Sequence, residues 1–156
     1  MSKILVAYFS ASGETAKLAK TVATATGADL FEIQPAQRYS SADLNWNNKQ
    51  SRSTLEMNDE KSRPAIANRV ENMEQYDTVL VGFPIWWYQA PRIIETFLES
   101  YDLSGKRVIP FATSGGSGMG KTAEILKKSC PGAIVDAGKR LSSRESAASV
   151  QKWLNF

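Results

Sequence analysis

The chain contains no histidine. That excludes Ser-His-Asp and Cys-His nucleophile activation and removes the commonest zinc and iron ligand, so no metal site is expected. A single cysteine, Cys130, excludes an internal disulfide and suits a reducing, cytoplasmic setting. Set before Pro131 at the end of an expected helix, it reads as a small buried filler rather than an activated thiol. The amino-terminal segment offers only six consecutive apolar residues, too few for a secretion signal or a membrane span. No run of Lys or Arg exceeds two, and no aromatic-basic pattern accompanies them, which argues against nucleic-acid binding. Any chemistry must come from a cofactor or from carboxylates and lysines, and no catalytic side chain stands out.

With 156 residues the chain suits one domain, 1–156, able to bury roughly 70% of its unfolded surface without a disulfide or metal staple. Charge is uneven. Residues 1–103 hold ten Lys/Arg against thirteen Asp/Glu, and residues 104–156 hold nine against three. Apolar runs alternate with amphipathic stretches, predicting an α/β fold with a mainly parallel sheet. Strands are expected near 3–9, 29–34, 78–83, 107–113 and 133–136, and helices near 14–26, 64–74, 90–101, 119–129 and 144–154. Gly27 marks the end of the first helix, and Pro91 stands where a first-turn proline belongs. The segment 35–63 departs from this rhythm: it is polar, rich in Ser and Asn, and weakly periodic. It is either a functional loop or a surface insertion whose short helix covers its own Leu44 and Trp46.

The densest signal lies at the start. Ile4–Phe9 is a short apolar run of the kind that forms a buried parallel strand, and Ser10-Ala11-Ser12-Gly13-Glu14-Thr15 follows it into an amphipathic pattern. The first N–H groups of a helix lack partners and carry positive partial charge, so such a turn can hold an anion. Ser10, Ser12 and Thr15 add hydroxyls, and Gly13 lets the backbone come close. The competing reading is an ordinary strand-to-helix turn with Ser12 as N-cap.

This turn resembles the phosphate loop of the flavodoxin family, T/S-x-T-G-x-T, with serine in the third place. The resemblance continues in Val79-Leu80-Val81-Gly82-Phe83-Pro84-Ile85-Trp86-Trp87-Tyr88 and in Ile109-Pro110-Phe111-Ala112-Thr113-Ser114-Gly115-Gly116. It covers most of the chain and is closest to a branch of short FMN-binding flavodoxin-like proteins. It implies a doubly wound, three-layer α/β sandwich with a five-stranded parallel sheet of order 2-1-3-4-5, the flavin lying at the switch point between the first and third strands; flavodoxin is the standard illustration of that rule. It also implies FMN as cofactor, held by Ser10, Ser12, Gly13, Glu14 and Thr15, by Pro84, Ile85, Trp86 and Trp87, and by Thr113, Ser114, Gly115 and Gly116.

Among the aromatics after the third strand, alternation lets at most two rings point the same way. At least one is expected against the flavin and one in the core, with Trp87 the first choice for stacking and Trp86 the second. The run Gly115–Thr122 also fits the nucleotide-binding pattern G-x-x-x-x-G-K-T. Three facts weigh against a P-loop nucleotide-binding protein. Only 34 residues follow, no strand ends in a clear metal-binding Asp (Ala133–Asp136 is the nearest), and the turn at 10–15 would go unexplained. A response-regulator receiver is excluded by Ser10-Ala11-Ser12 and Phe83-Pro84 where acidic residues are required.

The expected function is FMN-based electron transfer to a redox partner protein. The alternative is an NAD(P)H-dependent FMN/quinone oxidoreductase. Lys139, Arg140 and Arg144 would then meet dinucleotide phosphates, or else simply face solvent. Electron-carrying flavodoxins are typically acidic, so the basic C-terminal third departs from that family habit.

Overall fold

The structure, a computed structural model, describes residues 3–11, 13–113 and 118–154. Strand β1 (Ile4–Tyr8) sits between β2 (Asp29–Glu32) and β3 (Thr78–Pro84); β4 (Arg107–Thr113) and β5 (Ile134–Val135) follow, all parallel, in the order 2-1-3-4-5. Odd positions of β1 and β3 (Leu5, Ala7, Val79, Val81, Phe83), and Phe9 just past β1, bury against α3 (Arg92–Glu99) and α4 (Thr122–Lys127). Even positions (Val6, Tyr8, Leu80) pack with α1 (Glu14–Thr26) and α5 (Ala147–Leu154). A strand buried on both faces needs apolar residues at every position, and the runs Leu5–Phe9 and Val79–Phe83 meet that need.

The fifth strand position is broken. After β5, residues 136–138 leave the ladder with one residue more than β4 has opposite them, and the chain resumes as β6 (Lys139–Arg140), which pairs with the same β4 at Phe111 and Ala112. The cause lies in β4. Its even carbonyls, those of Lys106, Val108 and Ala112, accept from this flank, so Pro110 presents a nitrogen without hydrogen to the same side. The ladder lapses there. Gly138, at φ 77°, fills the gap: a Cβ on it would lie 2.4 Å from the Pro110 carbonyl oxygen.

The helix expected over 64–74 is absent. Pro35 and Ile66 form an antiparallel bridge, Ala67 N–H donates to the Gln34 carbonyl at 2.7 Å, and the Asn68 side chain accepts from Gln34 N–H and donates to the Glu32 carbonyl. This stretch therefore extends the edge beyond β2, and only a 3₁₀ turn, Met73–Gln75, follows before β3. The helix of this region lies earlier, inside the polar segment: α2 (Arg52–Asn58), with Ser51 as N-cap accepting from Thr54 N–H. It leaves Trp46 71% exposed, so the segment does not cover that ring.

Candidate functional site

Three segments meet at the carboxyl edge of the sheet. Phe9 N–H donates to the Gly82 carbonyl at 2.9 Å, tying the turn after β1 to β3. Ile85 N–H donates to the Thr113 carbonyl at 2.9 Å, tying the turn after β3 to the end of β4.

In the first turn Gly13, at φ 91°, is the N-cap residue of α1, a conformation that suits glycine. Glycine has no side chain to cap with, and Ser10 supplies the oxygen instead, accepting from Gly13 N–H at 3.0 Å and Ala16 N–H at 3.2 Å. The N-cap is therefore Gly13 and not the expected Ser12. The first intrahelical bond runs from Lys17 N–H to the Gly13 carbonyl, so the N–H groups of Glu14 and Thr15 have no intrahelical acceptor. Among the described residues the Ser10 hydroxyl proton has no acceptor, so it can donate to an anion in front of them. Thr15, 2% exposed, shares a 2.7 Å hydrogen bond with the Thr113 hydroxyl and links this helix start to β4. Ser12, Ser114, Gly115 and Gly116 lie outside the described residues.

The second turn is unusual. Trp86 N–H donates to the Gln89 carbonyl and Gln89 N–H to the Trp86 carbonyl, at 2.9 and 3.1 Å. The two residues between them, Trp87 and Tyr88, have φ of 50° and 65°. Positive φ at both central positions defines a type I′ turn, which favours Asn-Gly. Holding two aromatic residues there costs of order 1–3 kcal/mol each, a form of strain that clusters at ligand sites. The turn also sorts the rings. Trp86 packs inward, edge-on to Phe9 (5.8 Å) and Tyr39 (5.6 Å), while Trp87 is 41% and Tyr88 64% exposed. Pro84 and Ile85 are half-buried beneath them.

Sequence reasoning did not identify the residues that brace this turn. Tyr39 donates to Glu56 Oε1 at 2.5 Å, and the Arg52 guanidinium lies 3.8 Å over its ring while bonding the same carboxylate at 2.8 Å. Burial first, then the hydrogen bond to Glu56, push the Tyr39 phenol well above the ordinary tyrosine range, so it remains a neutral donor into alkaline solution. Arg92, 3% exposed, donates to the carbonyls of Glu56 (3.2 Å) and Met57 (2.8 Å), to Gln89 Oε1 (3.2 Å) and to Glu95 (2.9 Å). It thus fastens the end of α2 to the foot of the aromatic turn. The only advance signal was an arginine directly after Pro91, where an exposed charge would have been the ordinary reading.

Of the basic residues singled out, Lys139, Arg140 and Arg144 are exposed, the first two beside the end of β4. Thr122 gives its hydroxyl to the Met119 carbonyl, and α4 spans only six residues. Asp136 is ion-paired with Arg107, at the opposite end of β4 from Thr113. Cys130 is buried, and burial pushes its thiol up. Among the described residues no three of Cys, Asp and Glu gather as a metal cluster, and no helix is long and apolar enough to cross a membrane.

Residues 3–156 match a family model described as flavodoxin. Among solved structures, the chain is 54% identical to a candidate flavoprotein from Bacteroides eggerthii, over 99% of this chain and 97% of that one, with a TM-score of 0.94. It is 49% identical to a second candidate flavoprotein, from Bacteroides uniformis, over 99% of both chains, with a TM-score of 0.93. It is 25% identical to a flavoprotein from Lactobacillus acidophilus solved in complex with FMN, over 99% of both chains, with a TM-score of 0.72. Nothing among curated proteins matches.

Proposed function

The chain belongs to the flavodoxin family, and from that premise we propose that it binds FMN at the β1/β3 crevice and passes electrons through it to a redox partner. The bound flavin supplies the redox chemistry; the protein holds it and sets its surroundings. The observation that carries this reading is the meeting, at one sheet edge, of an open helix start with an exposed, strained aromatic turn. The N–H groups of Glu14 and Thr15 and the Ser10 hydroxyl fit a phosphate, with Ser12 adjoining them in sequence. Trp87 offers an accessible indole for a flat ring, and the FMN complex of the Lactobacillus relative supports that cofactor here.

The test is a titration of flavin-free protein with FMN, followed by absorbance and flavin fluorescence. Trp87→Leu should weaken binding by about 1.5 kcal/mol, roughly tenfold, and quench less tryptophan emission, whereas Trp86→Leu should act mainly on stability. Equal affinity in wild type and Trp87→Leu would move the stacking role to another residue.

A second reading, an NAD(P)H-dependent oxidoreductase, is favoured by one observation. Lys139 and Arg140 are both exposed on β6 next to the end of β4, where dinucleotide phosphates could dock. Sustained NADPH oxidation in the presence of quinone, reduced in Lys139→Ala, would select it over the carrier.

A further inference from the structure

None of Gly118–Thr122, the described part of the G-x-x-x-x-G-K-T run, belongs to the flavin-site residues named above, yet one of them touches the aromatic turn. Gly120, at φ 56°, lies against the backbone of Tyr88: a Cβ there would stand 2.7 Å from the Tyr88 carbonyl oxygen and 3.3 Å from the Tyr88 Cβ. Glycine alone combines this left-handed conformation with so close an approach. The glycine before Lys121 thus faces a hydrogen-bond acceptor rather than a phosphate.

Neither side of the contact yields freely. On the turn side, Trp86 and Gln89 are bonded to each other at 2.9 and 3.1 Å, closing the turn around Trp87 and Tyr88. On the loop side, the buried Thr122 gives its N–H, at 3.1 Å, and its hydroxyl to the Met119 carbonyl. Met119 packs against the core, its methyl 3.1 Å from where a Cβ on Gly138 would stand. A side chain at 120 would therefore push the Tyr88 carbonyl from 2.7 Å out to about 3.4 Å, where ordinary van der Waals contact begins. That exceeds the roughly 0.5 Å within which ligand-binding groups must be held. Trp87 precedes Tyr88 in the same two-residue turn and moves with it. We propose that Gly120 is a positioning residue for the flavin: its bare face seats the Tyr88 carbonyl and thereby fixes the height of Trp87 over the crevice. This rests on the flavin reading and extends it, because the loop after β4 then shapes ring binding through the turn after β3.

The test is a titration of flavin-free wild type, Gly120→Ala, Trp87→Leu and the double variant with FMN, followed by flavin fluorescence. Gly120→Ala should weaken FMN about fivefold or more when Trp87 is present and less than about twofold when it is Leu, since the indole it positions is then gone. Gly118→Ala, where the added Cβ meets open space, should leave affinity within about twofold of wild type. Equal losses with and without the indole, as a merely structural role would give, or no loss in Gly120→Ala, would overturn the proposal. Should Gly120→Ala not fold by circular dichroism, Thr122→Val, which adds no bulk and loosens the Met119 carbonyl, goes through the same cycle. A loss of about threefold confined to the protein with Trp87 supports the seat, and no loss overturns it. If wild type binds no FMN, the flavin reading fails by itself. In flavin-free protein Gly120→Ala should still shift the Trp87 indole and Tyr88 amide signals in ¹H–¹⁵N spectra, where Gly118→Ala leaves them in place; unmoved signals in Gly120→Ala would overturn the seat as well.

Discussion

The two turns that frame the crevice are built in opposite ways. The turn after β1 is held by near neighbours: Ser10 bonds groups three and six residues away, and among the described residues of the turn the left-handed position, Gly13, is a glycine. The turn after β3 places Trp87 and Tyr88 in left-handed conformations that suit neither, and it is held from a distance. Arg92 reaches back to Glu56 and Met57, and Trp86 leans on Phe9 and Tyr39. A turn whose residues match its backbone can keep its shape with local bonds, whereas one that presents large rings against backbone preference must be braced by the surrounding fold.

The sharpest way to break this contrast is to remove the brace. Arg92→Met strips four hydrogen bonds, while Arg63 still pairs with Glu95 at 3.1 Å. The expected loss is about 3 kcal/mol in urea unfolding, near the lower end for a broken buried pair. A loss below about 1 kcal/mol would show that the aromatic turn stands unaided. Gly13→Ala tests the self-supporting turn. Nothing lies within 4 Å of the added Cβ, so the cost is backbone strain alone, about 1–2 kcal/mol on the same assay. Tyr88→Gly should act with the opposite sign. Relieving one left-handed aromatic residue that is mostly exposed should stabilise flavin-free protein by about 0.5–1 kcal/mol, net of the added chain entropy. Destabilisation instead would mean that the Tyr88 ring packs more than its exposure suggests.

The same contrast explains what could be read from the chain. The five strand positions and α1 with its glycine at the start and its Gly27 stop rest on local pattern, and local pattern is what a sequence displays. The order 2-1-3-4-5 came from family resemblance, since periodicity does not rank strands. The misplaced helix at 64–74 failed for a non-local reason: Asn68 and Ala67 are bonded to Glu32 and Gln34, more than thirty residues earlier in the chain. The split of the fifth strand was written in Pro110, but only the finding that its nitrogen faces that flank gave the proline its effect. Tyr39, Arg52, Glu56 and Arg92 form the brace from two distant segments, and none carries a motif.

The interruption at Pro110 also bears on how these molecules behave in a crowd. A long, flat sheet edge is a template on which another chain can add a strand. Here the β4 flank is closed by two pairs of residues separated by three that do not pair as a strand, and Lys139 and Arg140 put charge on the second pair. The other flank is the four residues of β2, with Asp29 and Glu32 exposed at its two ends, and beyond it the stretch around Ile66 already bonds to residues 32–36. Ile134, 62% exposed, is therefore an isolated apolar side chain on an edge too short to recruit a partner strand. A proline in the middle of a sheet, costly as a ladder element, keeps the sheet from growing sideways into an aggregate.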